Sequence, residues 1–301
     1  MKNSYTGPIF IIIAALLWAL DGLIRQHLYT LPPIIIIFFE HLIGLIILSP
    51  FVFKYVRETR LGKREWWLLI LIAILSGLLG TLWFTTALGK VHFISISIVF
   101  LLQKLQPIFA ISTARIFLKE KLDRRYIKWA LLAIASAYFV TFPNGHVNLA
   151  TGEGTVIAAL YALGAAFAWG SSTTFSKMLL GRIRAEVSTF YRFLFTLVVA
   201  LPVLFFWGRN NLGNIAKPTI SQFGFLALIA ISTGMVALLI YYKGLARTPV
   251  HISTILELAF PFVAILLDFI VNHTVLTPLQ WISAIALVFS IYQIARLREA
   301  N

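Results

Sequence analysis

The chain has 301 residues, of which 60% are hydrophobic and only 12% are charged. Apolar runs of about 20 residues, the length a helix needs to cross a bilayer, recur along it. This composition excludes a soluble globular protein. Because the chain contains no cysteine, it also excludes a disulfide framework, a Cys-based metal site and a thiol nucleophile.

Turn residues and charges divide the chain into ten predicted helices. The first apolar run continues to Leu23 without a small-residue cleavage pattern, so we expect an uncleaved first span. Ten spans place both termini on one side of the membrane. The predicted helices cover residues 8–27, 33–53, 66–87, 93–117, 127–142, 155–177, 187–207, 222–242, 250–271 and 279–295.

The net charge of +14 falls mainly in the loops. Eighteen Lys and Arg lie on the side of the termini, and only Arg25, Lys90, Arg209 and Lys217 lie on the other side. By the positive-inside rule, this predicts a multi-pass protein of the cell (cytoplasmic) membrane with both termini in the cytoplasm. The basic loops explain the charge without a nucleic-acid partner, and we expect contact with membrane lipid.

Short stretches recur in the same order in both halves of the chain. "AALLWALDG" aligns with "AAFAWGSST", which matches Trp18 to Trp169 at an offset of 151 residues. "LQPIFAI" aligns with "AFPFVAI" at an offset of 154, which matches Pro107 to Pro261. The shared order of these matches predicts an internal repeat.

The repeat predicts the domain organisation. Residues 1–142 and 155–301 each hold five predicted spans, and the polar loop 143–154 joins them. Because five is an odd number, the second half must enter the membrane from the opposite side. The predicted fold is an all-α membrane protein with ten transmembrane helices, arranged as two inverted five-helix repeats.

The chain resembles EamA-type transporters of the drug/metabolite transporter superfamily, with two EamA-like repeats covering nearly all of it. The resemblance rests on the two tryptophans and two prolines above and on "TTALGKV", "YYKGLARTP" and "LKEKLDRR". It implies a ten-helix carrier that exports or imports small metabolites through a cavity lined by spans 1, 3, 4, 6, 8 and 9. The family has a Glu after the proline-bearing helix of each repeat. Glu120 fits this pattern, whereas the second repeat reads "VNHTVLTP".

Polar residues beside the two prolines predict a binding site. A charge such as Lys104 costs at least about 2.5–3.5 kcal/mol near the bilayer centre, so it should face a wet cavity or a partner. Pro107 is expected to free the carbonyl of Gln103, and Pro261 that of Glu257. We therefore predict substrate binding by Lys104, Gln103 and Glu257 beside two proline kinks. The alternative is that these side chains only repair ordinary kinks.

Three further residues complete the predicted site. Glu40 is predicted to form an ion pair with Lys104 and to be able to carry a coupling proton. Trp18 and Trp169 lie away from the ends of their spans, so they are candidate walls for an apolar or cationic cargo group, with ordinary packing as the alternative. Asp21 is expected to be solvated at the outer face.

These features predict a secondary transporter that moves a small metabolite by alternating access. An amino-acid-like zwitterion is the simplest cargo, because a cation and an anion are both available. A broad exporter of hydrophobic or lipid-like compounds is the alternative. A membrane-embedded enzyme is less favoured, because "GSS" has no obvious base and no HExxH spacing occurs. We predict no catalytic residue, metal or cofactor.

Overall fold

The computed structural model describes residues 5–28, 30–89, 102, 105–142, 155–210, 218–260, 262–263, 266 and 277–297. These residues form helices and turns, with no strand among them, which confirms the predicted all-α fold for this part of the chain.

The described helices, numbered in chain order, overlap the ten predicted spans, although the spans 93–117 and 250–271 are described only in part. α3 and α8 are each interrupted by a π-helical segment, and a 3-10 turn, Gln26–Leu28, follows α1. The bounds are α1 Thr6–Arg25; α2 Pro33–Glu58; α3 Lys63–Ile72, π-helical Ala73–Gly80 and Thr81–Gly89; α4 Gln106–Phe117; α5 Arg124–Thr141; α6 Thr155–Leu180; α7 Ala185–Asn210; α8 Ile220–Ile229, π-helical Ala230–Val236 and Ala237–Leu245; α9 Val250–Leu256; and α10 Pro278–Leu297.

Five helices in the described ranges are long and apolar enough to cross a membrane, judged by length and composition. They are Pro33–Glu58, Lys63–Ala87, Ala185–Phe206, Ile220–Leu245 and Pro278–Leu297. Their outward faces carry large apolar side chains such as Phe51, Trp67 and Ile285, which are mostly exposed. Many exposed apolar side chains of this size are unfavourable in water, so these faces fit contact with lipid.

The main helix interfaces join the two halves of the sequence. α1 packs on α8 and α3 packs on α6, while α2 lies against α7 and α5 against α10. α4 packs on α6 and also on α9. The core is therefore formed between the halves and not within each of them separately.

The two ends of the bundle are identified by their contacts. A cavity of about 500 Å³ is lined by Glu120, Lys177 and Arg247 together with Leu297, near the end of α10. Arg247 also lies over the ring of Phe10 in α1. We call this end, which carries the first residues of α1 and the last of α10, the terminal face. At the opposite face, Gln222 at the start of α8 donates to Thr30 over 2.7 Å.

Candidate functional site

Four helices bring polar side chains together around Glu257, which directly follows α9. The Tyr241 hydroxyl of α8 donates to Glu257 Oε1 over 2.7 Å, and Gln106 Nε2 of α4 donates to Oε2 over 3.1 Å. The Tyr241 hydroxyl also lies 3.5 Å from Thr173 Oγ1 of α6. Since a carboxylate only accepts hydrogen bonds, Gln106 must present its amide nitrogen here. We call these four residues the Glu257 cluster.

Trp18 adds an aromatic wall beside this cluster. Its ring centroid lies 5.0 Å from that of Tyr241, with the planes tilted by 55°. Tyr241 is buried, whereas Trp18, Gln106 and Glu257 are partly exposed. The cluster therefore combines a hydrogen-bonded carboxylate with an accessible aromatic surface, and the helices that meet here are α1, α4, α6, α8 and α9.

Of the two prolines predicted to kink helices, Pro107 lies within the described residues. Pro107 lies in the first turn of α4, where a missing N–H costs little. α9 ends at Leu256, but the Glu257 carbonyl accepts from the Phe260 N–H over 3.0 Å. The prediction that this carbonyl is free is therefore wrong, because a tighter three-residue turn satisfies it.

Several predicted site residues fall outside the described part of the chain. Gln103, Lys104 and Pro261 are among them. The predicted ion pair between Glu40 and Lys104 is consequently not described either. Glu40 does have a cationic partner within the described residues, and that partner is Arg25.

Arg25, Asp21 and Glu40 form a second buried cluster, the Arg25 cluster. Arg25 Nε lies 2.7 Å from Asp21 Oδ2, and its Nη2 lies 3.2 Å from Glu40 Oε2. Thr233 of α8 donates to Asp21 Oδ1 over 2.6 Å. Arg25 is only 4% exposed, and Asp21, for which the sequence predicts a solvated position, is 18% exposed and paired with it. The cost of removing these charges from water is offset by their mutual attraction and by their hydrogen bonds.

Trp18 and Trp169 make similar contacts with the two π-helical segments. Trp18 Nε1 donates to the Thr233 carbonyl over 3.0 Å, and Trp169 Nε1 donates to the Ser76 carbonyl over 3.2 Å. Ser76 and Thr233 hold the same place in the related segments "AILSG" and "AISTG". Each indole N–H thus binds a backbone carbonyl in the other half of the chain.

Comparison with known protein families identifies the family of this chain. The model of the EamA-like transporter family matches residues 5–142 and 156–296. The chain belongs to the EamA-like transporter family. This EamA-like protein is therefore a multi-pass membrane protein and a transporter of a small molecule, and the family gives no reason to assign it an enzymatic activity.

A curated relative covers the whole EamA-like chain. The riboflavin transporter ImpX of Fusobacterium nucleatum subsp. nucleatum is 34% identical over 300 residues, which is 99% of this chain and 100% of the relative. A crystal structure of another protein has a TM-score of 0.78 at 16% identity and covers 98% of both chains. The structural match shows that the fold is shared.

A third group of polar contacts, around Glu120, lies at the terminal face of this EamA-like transporter. Glu120, between α4 and α5, accepts the backbone N–H of Val250 over 2.8 Å and that of His251 over 3.1 Å. It also binds His251 Nδ1, while the Tyr126 hydroxyl donates to the His251 carbonyl over 2.8 Å. Burial alone would raise the pKa of Glu120, but these hydrogen bonds outweigh it and lower the pKa. Glu120 therefore joins the first half to α9.

Sequence reasoning did not single out Tyr241, Thr173 or Gln106 as site residues. Gln106 precedes Glu257 by 151 positions, which is also the offset between Trp18 and Trp169. This shared offset could have identified Gln106 from the sequence. The aromatic pair "YYKG" gives no indication of which tyrosine faces inward. The structure separates them, since Tyr241 contacts Glu257 and Tyr242 contacts Arg192.

Proposed function

We propose that this protein is a secondary carrier that works by alternating access between two inverted five-helix repeats, residues 1–142 and 155–301. The carrying observation is membership of the EamA-like transporter family across both stretches. The reciprocal contacts of Trp18 and Trp169 support a twofold relation between the halves. The matching interfaces of α1 with α8 and of α3 with α6 support it as well.

We propose riboflavin as the cargo. The observation that carries this choice is the 34% identity to a riboflavin transporter over the entire chain. A flavin has a flat aromatic ring system with polar edges, so it needs an aromatic surface beside hydrogen-bonding groups. The partly exposed ring of Trp18, together with Gln106 and Glu257, offers that combination. An amino-acid-like cargo was predicted from Lys104, and it becomes the comparison substrate of the test.

We further propose that Lys104, Gln103 and Trp169 contribute to the same central site. Lys104 and Gln103 precede Gln106 by two and three residues, which is within one helical turn. Pro107 and Pro261 are proposed to break the two helices beside it. Glu40 is proposed to link transport to a proton through its contact with Arg25, and both termini are proposed to face the cytoplasm of the cell.

Uptake into proteoliposomes tests this proposal. Purified protein is reconstituted, and uptake of radiolabelled riboflavin is measured beside a labelled amino-acid panel, with and without a pH gradient. We expect saturable riboflavin uptake that is accelerated by unlabelled riboflavin inside the vesicles, as a carrier requires and a channel does not. Glu257→Ala should reduce uptake at least about tenfold through its loss of binding contacts.

The matched control is Glu58→Ala, which removes an exposed carboxylate at the end of α2. It should leave uptake unchanged. Suppose that riboflavin uptake is no faster than in protein-free vesicles while an amino acid is taken up saturably. The proposed riboflavin cargo would then be wrong, and the proposed carrier mechanism would stand. Linear, non-saturable flux without stimulation by internal riboflavin would contradict the carrier mechanism itself. An uptake rate that is the same without a pH gradient and with a gradient in either direction would contradict the proposed role of Glu40 in proton coupling.

A further inference from the structure

The Glu257 cluster presents hydrogen-bonding groups in a defined order. Tyr241 places a hydroxyl donor on one side of the Glu257 carboxylate, and Gln106 places an amide donor on the other side. The order across the cluster is donor, acceptor, donor. All three groups are supplied by different helical segments, α8, the end of α9 and α4, so the order depends on the tertiary structure.

A cyclic imide has the complementary order. Its ring N–H lies between two carbonyl groups, which gives acceptor, donor, acceptor along one edge. The isoalloxazine ring of a flavin carries such an edge at its N3 nitrogen, flanked by its two carbonyl groups. Three neighbouring hydrogen bonds of this kind fix the orientation of a planar ligand as well as its identity, since each group is matched by a partner of the opposite type.

We propose that Tyr241, Glu257 and Gln106 bind the imide edge of the flavin cargo, a specificity role that rests on the proposed riboflavin transport. Glu257 accepts the ring N–H, while Tyr241 and Gln106 each donate to one carbonyl. The partly exposed ring of Trp18, 5.0 Å from that of Tyr241, is assigned the contact with the isoalloxazine ring.

The contacts within the Glu257 cluster are compatible with this binding. The Tyr241 O–H is a rotor, so it can turn from Glu257 towards a ligand carbonyl. The Gln106 amide has a second N–H besides the one that binds Glu257, and a carboxylate has about four lone-pair positions. In the structure, the three groups satisfy one another, which keeps the partly exposed carboxylate hydrogen-bonded. With cargo, the same groups remain satisfied through the ligand.

The test compares two flavins that each lack one end of riboflavin. N3-methylriboflavin loses the ring N–H and places a methyl group against Glu257, while lumiflavin keeps the imide edge but lacks the ribityl chain. Each is used to compete with uptake of labelled riboflavin into proteoliposomes containing the wild-type protein. We expect N3-methylriboflavin to compete at least about 100-fold more weakly than unlabelled riboflavin, because it leaves buried polar groups unpaired. Lumiflavin should compete within about tenfold of riboflavin.

Variants identify the residues responsible. In Glu257→Ala, the preference for riboflavin over N3-methylriboflavin should fall to within about threefold. Tyr241→Phe removes one donor and should weaken riboflavin about tenfold, with little effect on N3-methylriboflavin, whose methyl group already disturbs the edge. Thermal unfolding in detergent establishes that each variant is folded, and the wild-type comparison does not depend on either variant.

The possible failures are distinguishable. Saturable riboflavin uptake with equal competition by N3-methylriboflavin would overturn the imide-edge assignment and leave riboflavin transport intact. Preference for riboflavin that persists unchanged in Glu257→Ala would also overturn it, because another part of the protein would then recognise the imide. Absence of any riboflavin uptake would overturn the proposed cargo and this assignment together.

Discussion

Replacement of Glu120 should destabilise the contact between the two halves at the terminal face. Its carboxylate accepts the backbone N–H groups of Val250 and His251, and both side chains of the Glu120 and His251 pair are less than one sixth exposed. Glu120→Ala leaves two backbone donors without their acceptor, at about 1–3 kcal/mol each. Partial access of water from the adjacent cavity lowers the total, so we expect a loss of about 2–4 kcal/mol.

The change is measured as the unfolding temperature in detergent. For a chain of this size, each kcal/mol corresponds to about 2 °C, so Glu120→Ala should lower the midpoint by about 4–8 °C. Glu120→Gln keeps one acceptor oxygen and removes the charge, so it should lose about half as much. Glu58→Ala, at an exposed carboxylate, is the control and should shift the midpoint by less than 1 °C, about the effect of a typical surface substitution.

The effect of Glu120 should also depend on pH. Its pKa is lowered in the folded protein, so the ionised carboxylate contributes stability at pH values above the ordinary pKa of a glutamate, about 4.3. That contribution is lost as the pH falls through the lowered pKa. The difference in midpoint between wild type and Glu120→Gln should therefore be largest near neutral pH and shrink below about pH 4.3. Equal midpoints for the wild type, Glu120→Ala and Glu58→Ala at pH 7 would refute the reasoning.

Two further changes test the buried contacts by thermal unfolding. Arg25→Gln leaves the carboxylates of Asp21 and Glu40 without their cation and should lower the free energy of unfolding by about 3–5 kcal/mol. Adding Glu40→Gln should restore part of this loss. If the effects of the two changes are simply additive, the pair is not coupled. In Gly170→Ala, the new methyl group would lie 2.7 Å from a backbone carbonyl oxygen of α4, and this overlap should lower the free energy of unfolding by about 1–3 kcal/mol. In the control variant Gly224→Ala, the new methyl group meets nothing within 4 Å, so its effect should be neutral or slightly stabilising. Equal losses of stability in the two glycine variants would contradict the packing argument.

Helix positions could be predicted because each apolar run must match the thickness of a bilayer. α2 begins at Pro33 and α10 begins at Pro278, within one residue of the predicted starts. The π-helical segments could not be predicted in this way, since apolar periodicity does not distinguish an inserted residue from a regular turn. Within them, Ser76 and Thr233 present their carbonyls to an indole N–H from the other half.

Charged partners were harder to predict than the helices. Arg25 lies at the predicted end of a span, where a positive charge normally reaches solvent, so its burial against Asp21 and Glu40 depends on how α1 packs on α2 and α8. Glu257 could be predicted as a polar residue inside a span, but its partner Tyr241 could not. An aromatic residue in a membrane helix is equally compatible with packing, an interface anchor or a hydrogen bond.

The Glu120 contacts at the terminal face have a consequence for the proposed alternating access. At the terminal face, Glu120 makes charge-assisted hydrogen bonds to α9, which are worth about 1.5–3 kcal/mol each. At the opposite face, the contact between Gln222 and Thr30 is one of several that the structure describes; it is exposed and neutral, and such bonds contribute about 0.5–1.5 kcal/mol. In the proposed carrier, opening the terminal face therefore costs the charge-assisted hydrogen bonds of Glu120. Glu120→Gln should lower this cost, so in a carrier limited by that opening it should raise the rate of riboflavin exchange while lowering the unfolding temperature.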